Sequence, residues 1–324
     1  MRFHIAVIQA SAALCQGYDL DSGTLSMEGV VKRAFVFGAL MVLGSLSLAA
    51  GPGQLPASGP RVLQLQKLRD NLYLLTGGGG NSLFLVTDLG VVLVDTKATG
   101  WGQAVLDKIR AVTTQPVTTI INTHSHQDHT GGNDFFPTSV EIIAQDNTRL
   151  NMDKMDAFKG VKVNFLPKLM FRETMTIGSG KDRIDVYYFG PGHTGGDAWV
   201  AFPSQRVMHA GDLIAVKQLP VIDLDSGGSG LAYPDTLAKA AAAIKNIETI
   251  VPGNGAPLAM KDLHEYERFT RDFRDAVVSA YHHGLSVSEA AEAWRLPDRY
   301  RDFTAPQDRV KANVQAIFAE LTRP

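Results

Sequence analysis

The chain has 324 residues, of which 45% are hydrophobic and 20% charged, and its formal net charge is −2. That much apolar content fills the core of one large or two average domains and excludes a disordered chain. No basic block and no basic stripe interleaved with aromatics occurs, which counts against nucleic acid as a partner and points to a small-molecule substrate.

At the amino terminus, Lys32-Arg33 precede an apolar run from Ala34 to Leu48, and Ala49-Ala50-Gly51-Pro52-Gly53 then supply small residues and a break. These are the three parts of a secretory signal peptide. The run, about 15 residues, falls short of the roughly 20 that a membrane-spanning helix needs, so cleavage near Ala49 or Ala50 is expected to leave no stable span. The stretch from Met1 to Ser26, with Asp19 and Asp21, does not suit the head of a signal. Met27 therefore reads as the start, residues 1–26 as a mis-assigned extension, 27–50 as the signal peptide and 51–60 as a linker. A periplasmic or secreted location follows as the expectation. The only cysteine, Cys15, lies upstream of the cleavage, so the mature chain would hold no disulfide, no cysteine ligand and no lipid-modified cysteine.

After the linker, strands are expected over Val62–Leu68, Leu72–Thr76, Ser82–Thr87 and Val91–Asp95, the last almost wholly apolar as in a buried strand. Gly77-Gly78-Gly79-Gly80 lacks a following Lys-Ser/Thr and opens no helix, so it reads as a hairpin tip rather than a phosphate loop. A helix is expected from Trp101 to Val112, with Val105, Ile109 and Val112 on one face, and a β-branched strand from Val117 to Ile121. Directly behind it stands His124-Ser125-His126-Gln127-Asp128-His129. Side chains alternate along an extended strand end, so His124 and His126 leave on one side, while the following turn carries Asp128 and His129 toward a second position. Three imidazoles and a carboxylate within six residues, taken from only nine histidines in the chain, suit one or two ions such as zinc.

Later turns complete the set. Gly190-Pro191-Gly192-His193-Thr194-Gly195-Gly196-Asp197 follows a strand over Ile184–Phe189 and offers His193 as the third ligand of the first ion. Ala210-Gly211-Asp212 follows a short strand over Arg206–His209, and Asp212 is placed to bridge two ions. His209 itself reads as a core histidine or one that supports a ligand. Asp225-Ser226-Gly227-Gly228-Ser229-Gly230 forms a mobile loop, and Tyr233 beyond it is a candidate hydrogen-bond donor to an oxyanion, against the plainer reading that it packs. A helix over Pro234–Asn246, with proline in its first turn, leads into a strand over Ile247–Val251. From Lys261 the pattern is helical through Leu263–His283, Ser286–Trp294 and Gln307–Leu321, and His264, His282 and His283 there read as surface residues.

These motifs, in this order, resemble the metallo-β-lactamase superfamily over Val62 to Pro257. The resemblance rests on the hairpin ending in Leu93-Val94-Asp95-Thr96, the His-x-His-x-Asp-His run, Pro-Gly-His-Thr, Ala-Gly-Asp and Ile250-Val251-Pro252-Gly253-Asn254-Gly255. It implies an α/β fold, a four-layer αββα sandwich with the site at the strand ends over residues 61–260 and a helical carboxy-terminal extension, 261–324, packed on it. It further implies that His124, His126 and His193 hold the first metal and Asp128 and His129 the second, with Asp212 between. Where hydrolytic relatives carry Pro-Gly-His-Gly, this chain has Asn254, either a weak metal ligand or a turn residue. The second site is accordingly expected to be weaker.

The function implied is an exported metal-dependent hydrolase that uses a metal-bound hydroxide on acyl ester, thioester, lactone or β-lactam bonds, with Asp128 orienting the nucleophile. Zinc is the expected cofactor, one ion or two, with iron or manganese as alternatives. Two other readings stand beside it. One is a mononuclear iron enzyme like the persulfide dioxygenases, with His124, His193 and Asp212 as its triad. The other is a non-catalytic periplasmic metal- or ligand-binding protein.

Overall fold

The structure, a computed structural model, describes residues 62–323. The expected signal peptide and the residues before it lie outside that range. Seven strands form one sheet in sequence order: β1 (Gln64–Arg69), β2 (Leu72–Thr76), β3 (Ser82–Thr87), β4 (Gly90–Val94), β5 (Val117–Ile121), β6 (Glu141–Gln145) and β7 (Leu169–Phe171). The first four are antiparallel, whereas β4 through β7 run parallel. The second sheet has the order β12-β11-β10-β9-β8, from β8 (Thr174–Ile177), β9 (Ile184–Tyr187), β10 (Trp199–Phe202), β11 (Val207–His209) and β12 (Thr249–Val251). Only its β11–β12 pair is parallel.

Side-chain alternation sorts these strands into layers. Leu83, Leu85, Val92 and Val94 of the first sheet meet Val200, Phe202 and Val207 of the second in a shared interior. The opposite faces are covered by helices. Phe84, Val91, Leu93 and Ile120 pack with Val105 and Ile109 of α1 (Gly102–Arg110). Trp199, Ala201, Met208 and Ile250 pack beneath α4 (Tyr233–Ala243), α5 (Met260–His282), α6 (Val287–Ala293) and α7 (Gln307–Leu321). The order helix, sheet, sheet, helix is the expected αββα sandwich, and the carboxy-terminal region is helical as expected. Two short helices, α2 (Gln127–Thr130) and α3 (Asp146–Lys154), lie at the ends of parallel strands β5 and β6. Among the described residues no helix is long and apolar enough to cross a membrane.

Candidate metal centre

Parallel strands β4 and β5 end side by side, and the chain beyond each turns into the site. After β4, Asp95 and Lys97 adopt left-handed backbone, with φ of 60° and 70°, and both are fully buried. A non-glycine residue pays for that conformation, and two within three residues mark a turn held by its surroundings. The Asp95 carboxylate accepts from Thr123 N–H at 2.8 Å and Thr123 hydroxyl at 2.7 Å, and from His129 Nδ1 at 2.7 Å. It thereby ties the end of β4 to the histidine run. Beyond β5 the backbone of His126 is extended and that of Gln127–Thr130 helical, which separates His124 and His126 from Asp128 and His129 as the alternation argument requires.

Two clusters result, within each of which the potential ligand atoms lie within 4.8 Å of one another: His124, His126 and His193, and His124, His129 and Asp212. Every imidazole has one nitrogen fixed by an outer partner, which sets its tautomer. His126 Nε2 donates to Asp223 Oδ2 at 2.7 Å, His193 Nδ1 to the Val221 carbonyl at 2.9 Å, and His129 Nδ1 to Asp95. His124 Nδ1 lies 3.1 Å from the Thr123 hydroxyl, whose own proton goes to Asp95. The lone pairs of the other nitrogens then point inward. His193 Nε2 and His126 Nδ1 face each other at 2.9 Å, His124 Nε2 is buried without any hydrogen-bond partner, and His129 Nε2 faces the Asp128 and Asp212 carboxylates at 3.4 Å each. Converging acceptors of this kind call for a cation, and imidazole nitrogens suit zinc or another borderline ion.

Charge supports the same fit. Burial holds the His124 imidazole well below its ordinary pKa, so it is a neutral donor. At His129 burial also disfavours charge, but Asp95, Asp128 and Asp212 outweigh it and raise the pKa well above the ordinary value. Three carboxylates around one ring favour a positive charge there, which a metal can supply in place of a proton. For Asp212 burial acts upward, yet the His129 hydrogen bond and the surrounding imidazoles hold the carboxyl far below its usual range. Its Oδ1 lies 3.4 Å from His129 Nε2 and its Oδ2 3.9 Å from His193 Nε2, so it reaches both clusters. Asp128, 3.4 Å from His129 Nε2 and with 42% of its side chain exposed, stands on the open side; its hydrogen bond to His129 lowers its pKa.

Two expectations need revision or refinement. Tyr233 is buried, 1% exposed, and its hydroxyl lies 3.3 Å from the Asp212 carbonyl and 3.2 Å from that of Leu213. With that donor committed inside the Asp212 turn it is not available to an oxyanion, so Tyr233 packs and supports. Asn254 is exposed and its Nδ2 lies 3.1 and 3.3 Å from the two Asp212 oxygens. The left-handed turn residue beside it is Gly255, at φ 109°. Asn254 therefore borders the second cluster as a neutral amide that donates to a carboxylate. His209 is a support, as expected: its Nε2 lies 3.0 Å from the Asn81 carbonyl and its Nδ1 accepts Gly211 N–H at 3.0 Å.

The roles of three participants carry no local signal, although Asp95 stands in the Leu93-Val94-Asp95-Thr96 motif. Asp223 and Asp95 act across 97 and 34 residues of sequence from the histidines they hold. Lys97 is fully buried and donates to the Leu75 carbonyl at 2.7 Å and the Gly80 carbonyl at 2.6 Å, pinning the glycine run from below.

Fold and site together define an αββα protein organised around adjoining imidazole and carboxylate clusters at the strand ends. Residues 75–254 match the model of the metallo-beta-lactamase superfamily, and the chain belongs to that family of metal-dependent, hydrolase-like enzymes. It is 31% identical over 194 residues to the metallo-beta-lactamase type 2 of Elizabethkingia meningoseptica, an alignment covering 52% of this chain and 70% of that protein. Among solved structures it is similar to the metallo-beta-lactamase from Pontibacter korlensis, with a TM-score of 0.58 at 20% identity over 65% of this chain and 99% of the other. It is also similar to the inverting sec-alkylsulfatase Pisa1 from Pseudomonas sp., with a TM-score of 0.70 at 14% identity, covering 81% of this chain and 50% of that one. These two structural likenesses speak to the fold.

Proposed function

We propose that the protein is an exported zinc-dependent hydrolase acting on activated acyl bonds: esters, thioesters, lactones or β-lactams. The observation that carries this is the convergence of His124, His126 and His193 with their lone pairs inward, beside a carboxylate, Asp128, on the open side. His124, His126 and His193 would hold the zinc, which when bound would supply a nucleophile from water at neutral pH and polarise a carbonyl. Asp128, kept ionised by its contact with His129, is placed to orient that nucleophile and take its proton. Asp212, between the clusters, and His129 offer a second position, where Asn254 stands in place of an imidazole. An amide that donates to Asp212 binds zinc less well than a histidine, so His129 and Asp212 would hold a second ion weakly, and it would lend less to leaving-group stabilisation. Substrates with good leaving groups are favoured for that reason. The likeness to a metallo-beta-lactamase supports β-lactams as one class to test.

The test is elemental analysis of chelator-free protein followed by turnover on a panel of p-nitrophenyl esters, thioesters, lactones and a chromogenic cephalosporin. About one tightly held zinc per chain, with turnover abolished in His126→Ala, is the expected result. Stoichiometric iron with oxygen uptake would instead select the dioxygenase-like reading. Full zinc without turnover of any panel member would leave a binding protein.

A further inference from the structure

The carboxy-terminal helices lie beyond the 75–254 span that matches the family, yet the last of them reaches the loop that holds two of the histidines. Residues 219–230 wrap the His193 turn. Within this loop the Val221 carbonyl accepts from His193 Nδ1 at 2.9 Å, Asp223 accepts from His126 Nε2 at 2.7 Å, and Asp223 N–H donates back to the His193 carbonyl at 2.9 Å. The fit is close: a Cβ at Gly228 would lie 2.4 Å from the His193 carbonyl oxygen. A loop containing Gly227, Gly228 and Gly230 has little intrinsic stiffness, so its position depends on contacts: its middle is held by Gly195 N–H and Asn151 Nδ2 on the Ser226 carbonyl, and its ends are held from elsewhere.

Both ends are gripped by the tail. Leu219 N–H donates to the Thr304 carbonyl at 3.3 Å, and Asn313 Nδ2 of α7 donates to the Pro220 carbonyl at 3.0 Å. At the other end Glu320 of α7 accepts Gly230 N–H at 2.7 Å on one oxygen and the Ser229 hydroxyl on the other. Ile317 closes the same contact, since a Cβ at Gly230 would sit 2.5 Å from it. We propose that α7 is part of the metal site's support: through Glu320 and Asn313 it fixes the 219–230 loop, which aims His126 and His193, and Glu320 is a positioning residue. This rests on the reading that His126 and His193 hold zinc.

Zinc affinity of the full chain, measured by competition with a chromophoric chelator, tests it alongside hydrogen exchange over 219–230. Glu320→Ala is expected to weaken the tighter zinc site by about 10-fold, the lower end of what removing an outer partner of a ligand costs, and to speed exchange in the loop. Glu320→Gln, which keeps an acceptor for Gly230, restores part of that loss. Val314→Ala, a cavity in the buried face of the same helix, should lower Tm while leaving zinc affinity at its wild-type value. Unchanged affinity in Glu320→Ala, or an equal loss in Val314→Ala, overturns the proposal. Should Glu320→Ala not fold, Ser229→Ala removes the hydroxyl bond to Glu320, along with the one it accepts from Ala232 N–H, and must still weaken zinc severalfold; no change there overturns the proposal equally. His126→Ala separates the two levels: if that variant keeps the tight zinc, it is the ligand reading that fails.

Discussion

Lys97 is a buried amine whose acceptors are two main-chain carbonyls, those of Leu75 and Gly80. Burial depresses its pKa from 10.5 to about 7, with the Asp95 carboxylate opposing the shift. Below pH 7 the lysine is charged in both folded and unfolded chains, and the native state carries the full cost of holding the charge inside. Between pH 7 and 10.5 the unfolded chain binds the proton and the native one does not, so this residue's contribution to stability rises with pH. Lys97→Met should lack that rise. Denaturant midpoints compared at about pH 7.5 and about pH 9.5 check it, and an identical pH slope in the variant would assign the effect elsewhere. The metal-site residues contiguous in the chain were legible because an extended run places alternate side chains on one side, as with His124 and His126. Asp95, Lys97 and Asp223 were not, because what each does depends on a partner that only the folded chain brings near.

The glycine run between β2 and β3 illustrates the same division at the level of an element. Its sequence showed a hairpin tip, and it is one, but the reason for three of the four glycines lies in what they touch, while Gly77 is needed for its left-handed backbone at φ 90°. A Cβ at Gly78 would meet Trp101 at 2.4 Å, at Gly79 the Asp128 carbonyl at 2.6 Å, and at Gly80 the His129 ring at 2.2 Å. Gly80 N–H also donates to the Asp128 carbonyl at 3.0 Å. The run is thus a strap laid on the segment that carries the second cluster. Gly80→Ala should push His129 off its inward line, lowering zinc bound beyond the first equivalent and costing about 1–3 kcal/mol of stability. Full second-site occupancy in that variant would show that the strap yields instead. Strand β3 was readable as a strand, but not its two faces, because Leu83 and Leu85 face the shared interior while Phe84 is equally buried beneath α1. Strands β6, β7 and β8 have three to five residues, too few to display a period, and the nine residues of helix α3 include only Leu150 and Met152 as apolar side chains, too few to mark a face.

Across the whole molecule, the clusters join elements from both sheets: histidines following β5, His193 following β9, Asp212 following β11 and Asn254 following β12. A metal bound there stabilises the fold by mass action, since the unfolded chain presents no such arrangement. Zinc at about 100 times its dissociation constant adds about 2.7 kcal/mol, which for a domain of this size raises Tm by about 5–10 °C over chelator-treated protein. A melting curve unmoved by zinc would mean that the inward nitrogens do not share an ion. The grip of α7 on the 219–230 loop also has a meaning for biosynthesis. The clustered histidines and Asp212 are all present once residue 212 has been made, but the helix that grips the loop behind two of them, Gln307–Leu321, is synthesised well after them. A chain cut short before Glu320 would therefore hold metal poorly, and metal retention would report that synthesis had passed through this helix.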